Sequence, residues 1–205
     1  MEQRLPELIT NFVKAGFRPG LCARPGQLAT LGDWKTDRVL RFNAADPDHL
    51  KLMGDRFHRI ISQGFTVFYL DSFGSRLEEV RAMAYFRKRM GPDIQTFVEH
   101  PCDMVLPCSG AYMELQIDEK TNRYHLLWDL EQFWQIAQWL APGVQAVAAN
   151  RVDVTKLPKD FESPYRFLFR NHITPLSPDW RVKKEAAELR ALTDEFLTAD
   201  GKWKK

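Results

Sequence analysis

Phe65-Thr66-Val67-Phe68-Tyr69-Leu70 is an uncharged run of β-branched, aromatic and aliphatic residues standing between two segments of helical periodicity. Such a run reads as a strand covered on both faces. Before it, His49, Leu50, Leu52, Met53, Phe57, Ile60 and Ile61 recur at helix spacing and close at Gly64. After it, Leu77, Val80, Met83, Ala84 and Phe86 do the same and end at Gly91-Pro92. A strand flanked by helices with short turns belongs to a right-handed crossover and a parallel sheet. The class is therefore α/β.

The rest of the chain extends the alternation. Leu5, Leu8, Ile9, Phe12 and Val13 predict an opening helix ending at Gly16, and Phe17 to Arg24 a short strand leaving at Pro25. Gly26 to Asp48 reads as polar and irregular, Ile94 to Val98 as the next strand, and Met104-Val105-Leu106 as a second short apolar run. Ala111 to Asp129 admits two readings, a hairpin turned at Lys120-Thr121-Asn122 or a strand followed by a loop. Leu130, Phe133, Trp134, Ile136, Ala137, Trp139 and Leu140 predict an apolar helix, and Val144 to Ala149 a buried strand. Phe167-Leu168-Phe169 is expected to be a last strand, followed by a charged helix from Trp180 to Ala199.

Two closures suit this order, an open doubly wound sheet and a (β/α) barrel. The open sheet usually carries a glycine-rich phosphate loop after its first strand. Neither G-x-G-x-x-G nor G-x-x-x-x-G-K-[ST] occurs, so the expected fold is a (β/α) barrel of TIM type. A complete barrel takes eight strands and about 250 residues. This chain offers five or six in 205. The expectation is one barrel-like domain over residues 1–205, incomplete at its N-terminus, with a missing N-terminal segment, a partner chain or an open partial barrel as the alternatives.

The bulk numbers exclude more than they select. Hydrophobic residues make up 44%, enough for a real core, and the formal net charge is +2. That balance creates no field drawing the chain to nucleic acid or an anionic membrane. No signal-peptide-like stretch opens the sequence and no window approaches the roughly 20 apolar residues of a membrane span. The expectation is a soluble, cytoplasmic product as written, with the compartment open if it is a fragment of a longer secreted protein. Cys22, Cys102 and Cys108 are too few and too odd in number for a disulfide framework. His100, Cys102, Asp103, Cys108 and His125 can be drawn as a metal set, but no Cys-x-x-Cys or His-Glu-x-x-His pattern supports it. No metal and no cofactor are expected.

Function in a parallel barrel collects where strands end. The residues standing there are Arg24, Asp71, Glu99, Asp103, Asn150 and Asn171-His172. An Asp after a strand often caps the next helix. Here Ser75 and Glu78 fit a capping box and leave Asp71 uncommitted. Pro101 biases His100 away from helix, which keeps Glu99 at the rim. Two carboxyls on neighbouring tips are what a glycosidase requires, about 5–5.5 Å apart when one is the nucleophile and roughly 6.5–9.5 Å when water intervenes. Arg24 is a candidate for substrate or for pairing with Asp71. Trp34, Tyr69, Phe73, Tyr112, Trp128 and Trp180 are candidates for stacking on sugar rings, with Trp34 and Tyr112 the preferred pocket walls. Trp134 and Trp139 fall on a helical stripe and are assigned to the core. Asp103 and His172 complete the substrate-binding candidates, although His172 suits a structural role equally.

Tyr69-Leu70-Asp71-Ser72-Phe73-Gly74 resembles the strand carrying the nucleophilic aspartate in retaining α-glycosidase barrels of the endo-α-N-acetylgalactosaminidase-like and α-amylase-like groups. The resemblance implies an acid/base glutamate on the next strand, which Glu99 in Thr96-Phe97-Val98-Glu99-His100 matches. Gly20-Leu21-Cys22-Ala23-Arg24-Pro25 is similar to an earlier strand whose basic residue faces the sugar. Two positions depart from those groups. Tyr69 stands where they place Arg or Lys, and Asn171-His172-Ile173 lacks the acid of the Asn-His-Asp pattern.

Three functions follow as expectations. The first is a glycoside hydrolase-like protein with Asp71 as nucleophile and Glu99 as general acid/base. The second is a non-catalytic carbohydrate-binding or interaction protein derived from such a barrel. The third is a metal-dependent enzyme using His100, Cys102 and Asp103.

Overall fold

The first part of the chain runs α1 (Leu5–Lys14), β1 (Gly20–Ala23), β2 (Gln27–Leu31), β3 (Arg38–Arg41), α2 (Pro47–Ser62), β4 (Val67–Leu70), α3 (Leu77–Met90) and β5 (Gln95–Val98). These elements come from a computed structural model, which describes residues 4–31, 38–118, 123–126, 130–150, 162–176, 185–198 and 202–204. The chain divides into two compact units, Met1–Ala111 and Tyr112–Lys205.

In the first unit β1, β4 and β5 form a parallel sheet in the order β1-β4-β5, with Ala23 opposite Leu70 and Leu70 opposite Val98. Phe68, Leu70 and Val98 are buried on one face in a cluster with Met53 and Phe57 of α2 and Met83 and Phe86 of α3. Phe57 meets Phe68 edge-on at 5.4 Å and Phe86 at 5.2 Å, a geometry that adds about 0.5–1.5 kcal/mol per pair beyond area burial. On β4 burial alternates: Val67 and Tyr69 are half-buried where Phe68 and Leu70 are fully buried. Asp46 starts α2 by accepting the N–H groups of Asp48 at 2.9 Å and His49 at 3.4 Å, with Pro47 first in the helix.

The stretch read as irregular holds an antiparallel pair, β2 with β3, whose register shifts between Gln27 and Ala29. β2 buries Leu28 in the core, but a single buried position in a strand this short, paired with a β3 sequence that has arginine at both ends, gives no apolar alternation to read. Asp103–Val105 is a single 3-10 turn. Gly110 then bridges Phe97 in parallel, its N–H donating to the Thr96 carbonyl at 2.7 Å.

The second unit contains β6 (Ala111–Asp118, its first residue belonging to the first unit), β7 (Arg123–Leu126), α4 (Leu130–Leu140), β8 (Ala146–Asn150), α5 (Glu162–Arg170), β9 (Ile173–Leu176) and α6 (Glu185–Phe196). Its sheet order is β7-β6-β8-β9. β6 and β7 pair antiparallel, the hairpin alternative of the two readings, while β8 and β9 are parallel across α5. Phe167-Leu168-Phe169 lies in α5, not in a strand. Pro164, Tyr165, Leu168 and Phe169 are its buried residues, a spacing that buries one side of a helix and that three consecutive apolar residues conceal. Trp134 is buried as expected of the core, but Trp139 is 79% exposed.

The described strands make three sheets, of three, two and four strands, none of them closed. A mixed α/β architecture with parallel strands is present. A closed barrel is not shown by them. Among the described residues no helix is long and apolar enough to cross a membrane.

Candidate active site

The strand register lines up three charged residues. Arg24, Asp71 and Glu99 each stand one residue beyond a paired position, after Ala23, Leu70 and Val98. The ladder carries them there: Asp71 N–H donates to the Ala23 carbonyl at 2.8 Å and Glu99 N–H to the Leu70 carbonyl at 3.0 Å. Alternation places them on the sheet face of Cys22, Tyr69 and Phe97, away from the face that packs on α2 and α3.

Ser72 joins the two acids. Its N–H donates to Glu99 Oε2 at 2.7 Å and its hydroxyl to Asp71 Oδ1 at 3.1 Å. It does so with φ at 54°, a left-handed backbone unusual for a residue other than glycine. Two residues later Gly74 has φ 112°, and a Cβ there would come within 2.7 Å of Val98 Cγ2 and 3.1 Å of the His100 carbonyl. Only glycine fits this turn. Between them Phe73 is buried in the core, which anchors the loop and removes it from the sugar-stacking candidates.

The cap of α3 differs in detail from the sequence reading. Glu79, not the Ser75–Glu78 pair, receives the N–H groups of Gly74, Ser75 and Arg76 at 3.0, 3.1 and 3.2 Å. The cap residue is Arg76, so the third helical position falls one residue later than Ser75 would set it. Asp71 is not used as a cap.

Asp71 Oδ2 accepts from Arg24 Nε; the acid's side chain is 14% exposed and the arginine's 60%. That hydrogen bond, and then the charge of Asp71, pushes the Arg24 guanidinium above its usual range. Glu99 is 9% exposed at the side chain, with His100 Nε2 at 3.5 Å. Cys22 lies close enough to sense both acids. Burial pushes its thiol up, Asp71 and Glu99 push the same way, and Arg24 opposes them.

A cavity of about 460 Å³ opens beside Asp71, lined among others by Arg24, Gln27, Arg41, Asn43, Ser72 and Arg76. The remaining candidates fall in different places. Tyr69 is on the same face as Asp71, two residues earlier and half-buried. Asp103 is exposed, with Oδ1 accepting the Met104 N–H at 2.9 Å, and it does not line this cavity. Trp34, Trp128 and Trp180 lie outside the described residues. Tyr112, in the second unit, is in strand β6 and not in a loop; it is buried, its hydroxyl donating to Glu114 Oε1 at 2.9 Å. His172 precedes β9, at the N-terminal end of that strand, stacked on Trp203 with centroids 4.9 Å apart. It closes a helix because the preceding apolar residues are helical.

Sequence reasoning passed over Ser72, Cys22 and Arg41. Ser72 was legible in principle as the residue between a strand-end acid and an obligatory glycine. Among the described residues no group of three or more His, Cys, Asp or Glu side chains could hold a metal ion. Burial raises the Cys108 thiol.

No protein-family model and no curated protein matches this chain. Solved structures do. The glycoside hydrolase domain of PelA from Pseudomonas aeruginosa is similar at 17% identity and TM-score 0.54, over 84% of this chain and 82% of that one. The α-galactosidase TtGalA from Thermus thermophilus, in complex with stachyose, is similar at 14% identity and TM-score 0.63, over 92% of this chain. The fold is glycoside-hydrolase-like. The chain spans 52% of that α-galactosidase. Within this glycoside-hydrolase-like fold, the paired tips of β4 and β5 bring two partly buried acids, Asp71 and Glu99, to one level of the sheet.

Proposed function

We propose that this chain is a glycoside hydrolase-like protein acting on a carbohydrate, with Asp71 as nucleophile and Glu99 as general acid/base. The observation that carries the reading is the register of the two acids on adjacent parallel strand ends, bridged by Ser72. Adjacent strands lie about 4.8 Å apart, which favours the short separation of a retaining enzyme over the longer one that accommodates water. Asp71 would attack the anomeric carbon while the protonated Glu99 gives its proton to the departing oxygen. Glu99 would then take a proton from the water that releases the sugar from Asp71. Arg24 and the Ser72 hydroxyl orient Asp71, and the Ser72 N–H orients Glu99. The β1-β4-β5 and β8-β9 parallel units support a (β/α)-barrel origin, read as one incomplete domain over residues 1–205.

Chromogenic α-glycosides, α-galactosides among them, test this directly. Asp71→Asn and Glu99→Gln should each abolish turnover with the circular dichroism spectrum unchanged, and the first sugar released should retain its anomeric configuration. Equal turnover by the double variant would overturn the assignment.

Two observations favour a second reading, a carbohydrate-binding protein without turnover. Arg24 already occupies Asp71 Oδ2, and Tyr69 stands where the resembling groups place a cation. Glycan binding by the unaltered chain without any hydrolysis, and unchanged by Asp71→Asn, would select it.

A further inference from the structure

The cavity beside Asp71 has three arginines on its wall and three acids, yet the charges are not equally free. Asp71 is committed to Arg24 and to the Ser72 hydroxyl. Glu79 is committed to three backbone N–H groups at the start of α3. Glu78 and Glu79 both stand in the first turn of α3, where their charge opposes an anion at the helix end, so an anion in the cavity must find its partner among side chains. Arg76 retains only a long 3.9 Å approach to Glu79. The Arg41 side chain has no hydrogen bond or ion pair with any described residue, and it is exposed at the end of β3. It stands directly across the ladder from Gln27, so both side chains leave the same face of the hairpin into the cavity. Against these two arginines the wall offers one uncommitted acid, Glu78. The balance available to a ligand is positive.

We infer that the cavity takes an acidic glycan, one whose sugar carries a carboxylate, and that Arg41 recognises that carboxylate. The inference rests on the reading of Asp71 and Glu99 as a carbohydrate site and names its substrate class. A planar guanidinium binds a carboxylate through two parallel N–H donors, which a hydroxyl cannot match. Gln27 beside it supplies a donor and an acceptor for a neighbouring sugar hydroxyl. Arg24 cannot take this role while it holds Asp71.

The test is calorimetric binding to the full chain carrying Glu99→Gln, which prevents turnover. The probes are matched pairs of oligosaccharides, galacturonate against galactose and glucuronate against glucose. In at least one pair the uronate should bind about tenfold more tightly, and that preference should weaken as sodium chloride rises. Arg41→Gln should bring the acidic-to-neutral ratio close to one, and Arg41→Glu should invert it, with Arg41→Lys intermediate. Equal binding of acidic and neutral partners in every pair would overturn the inference and leave the carbohydrate reading standing. A uronate preference that survives Arg41→Glu would overturn the role of Arg41. Failure of all four sugars to bind would overturn both the inference and the reading beneath it.

Discussion

Ser72 and His172 are the two described residues other than glycine with left-handed backbone, at φ 54° and 56°. Each follows an apolar run that reads as a strand. Ser72 does follow a strand, and the turn aims its N–H at Glu99 and its hydroxyl at Asp71. His172 follows helix α5, and its N–H closes that helix on the Phe169 carbonyl at 3.1 Å while its ring stacks on Trp203. The same backbone conformation thus organises two acids in one region and stops a helix in the other. Strain alone does not mark a site. What marks it is what the strained residue's donors reach.

The sharpest way to break this contrast is to exchange the residues' importance. Glu99→Gln should lower kcat on an activated glycoside by about 10³-fold or more, to background, whereas His172→Gln should leave kcat within about twofold. A large loss from His172→Gln would mean that the second region contributes to the chemistry. Next in size is the turn that carries Ser72. Gly74→Ala should cost about 3 kcal/mol in urea unfolding, from the strained φ and the collision with Val98 together. Gly91→Ala, with φ 90° and open space around its Cβ position, should cost only about 1 kcal/mol. Equal losses at the two glycines would show that close packing under Ser72 is unimportant.

Ser72→Ala removes the hydroxyl but keeps the N–H to Glu99, so it should reduce kcat about tenfold and stability by about 1 kcal/mol or less. The smallest effect is a change of labelling rate at Cys22, followed by peptide mapping with iodoacetamide. Because burial and the two acids raise this thiol, its thiolate and its labelling emerge only at a pH above the ordinary thiol range. Removing a negative charge with Asp71→Asn should lower the thiol's pKa and speed labelling at fixed pH. Arg24→Gln removes the opposing cation and should slow it. An unchanged rate in both variants would separate Cys22 from the acids.

The placement of the two candidate acids at strand ends is legible in the sequence. Asp71 and Glu99 followed from two apolar runs, and a pairing of Arg24 with Asp71 was one of two roles open to it. The missed pieces share a cause. β2 and β3 are defined by hydrogen bonds across a short ladder, which leave little pattern in side-chain polarity. The helix at Phe167–Phe169 hid because a buried helical face of aromatic and aliphatic residues, seen over three positions, looks like a buried strand. Tyr112 misled because an aromatic beside an uncertain segment gives no sign of whether it is wall or core.

What the residues determined alone was local. Apolar runs, glycine stops and helical spacing specify strands, turns and helices through short-range sterics and through which side chains leave water. Register was decided only in the tertiary structure, because it depends on strands distant along the chain. It placed Ala23, Leu70 and Val98 side by side, and so brought Arg24, Asp71 and Glu99 to one level of the sheet. The turn at Ser72 and Gly74 then locked them there. A shift of one residue in either pairing would have turned an acid to the opposite face, since successive side chains of a strand alternate.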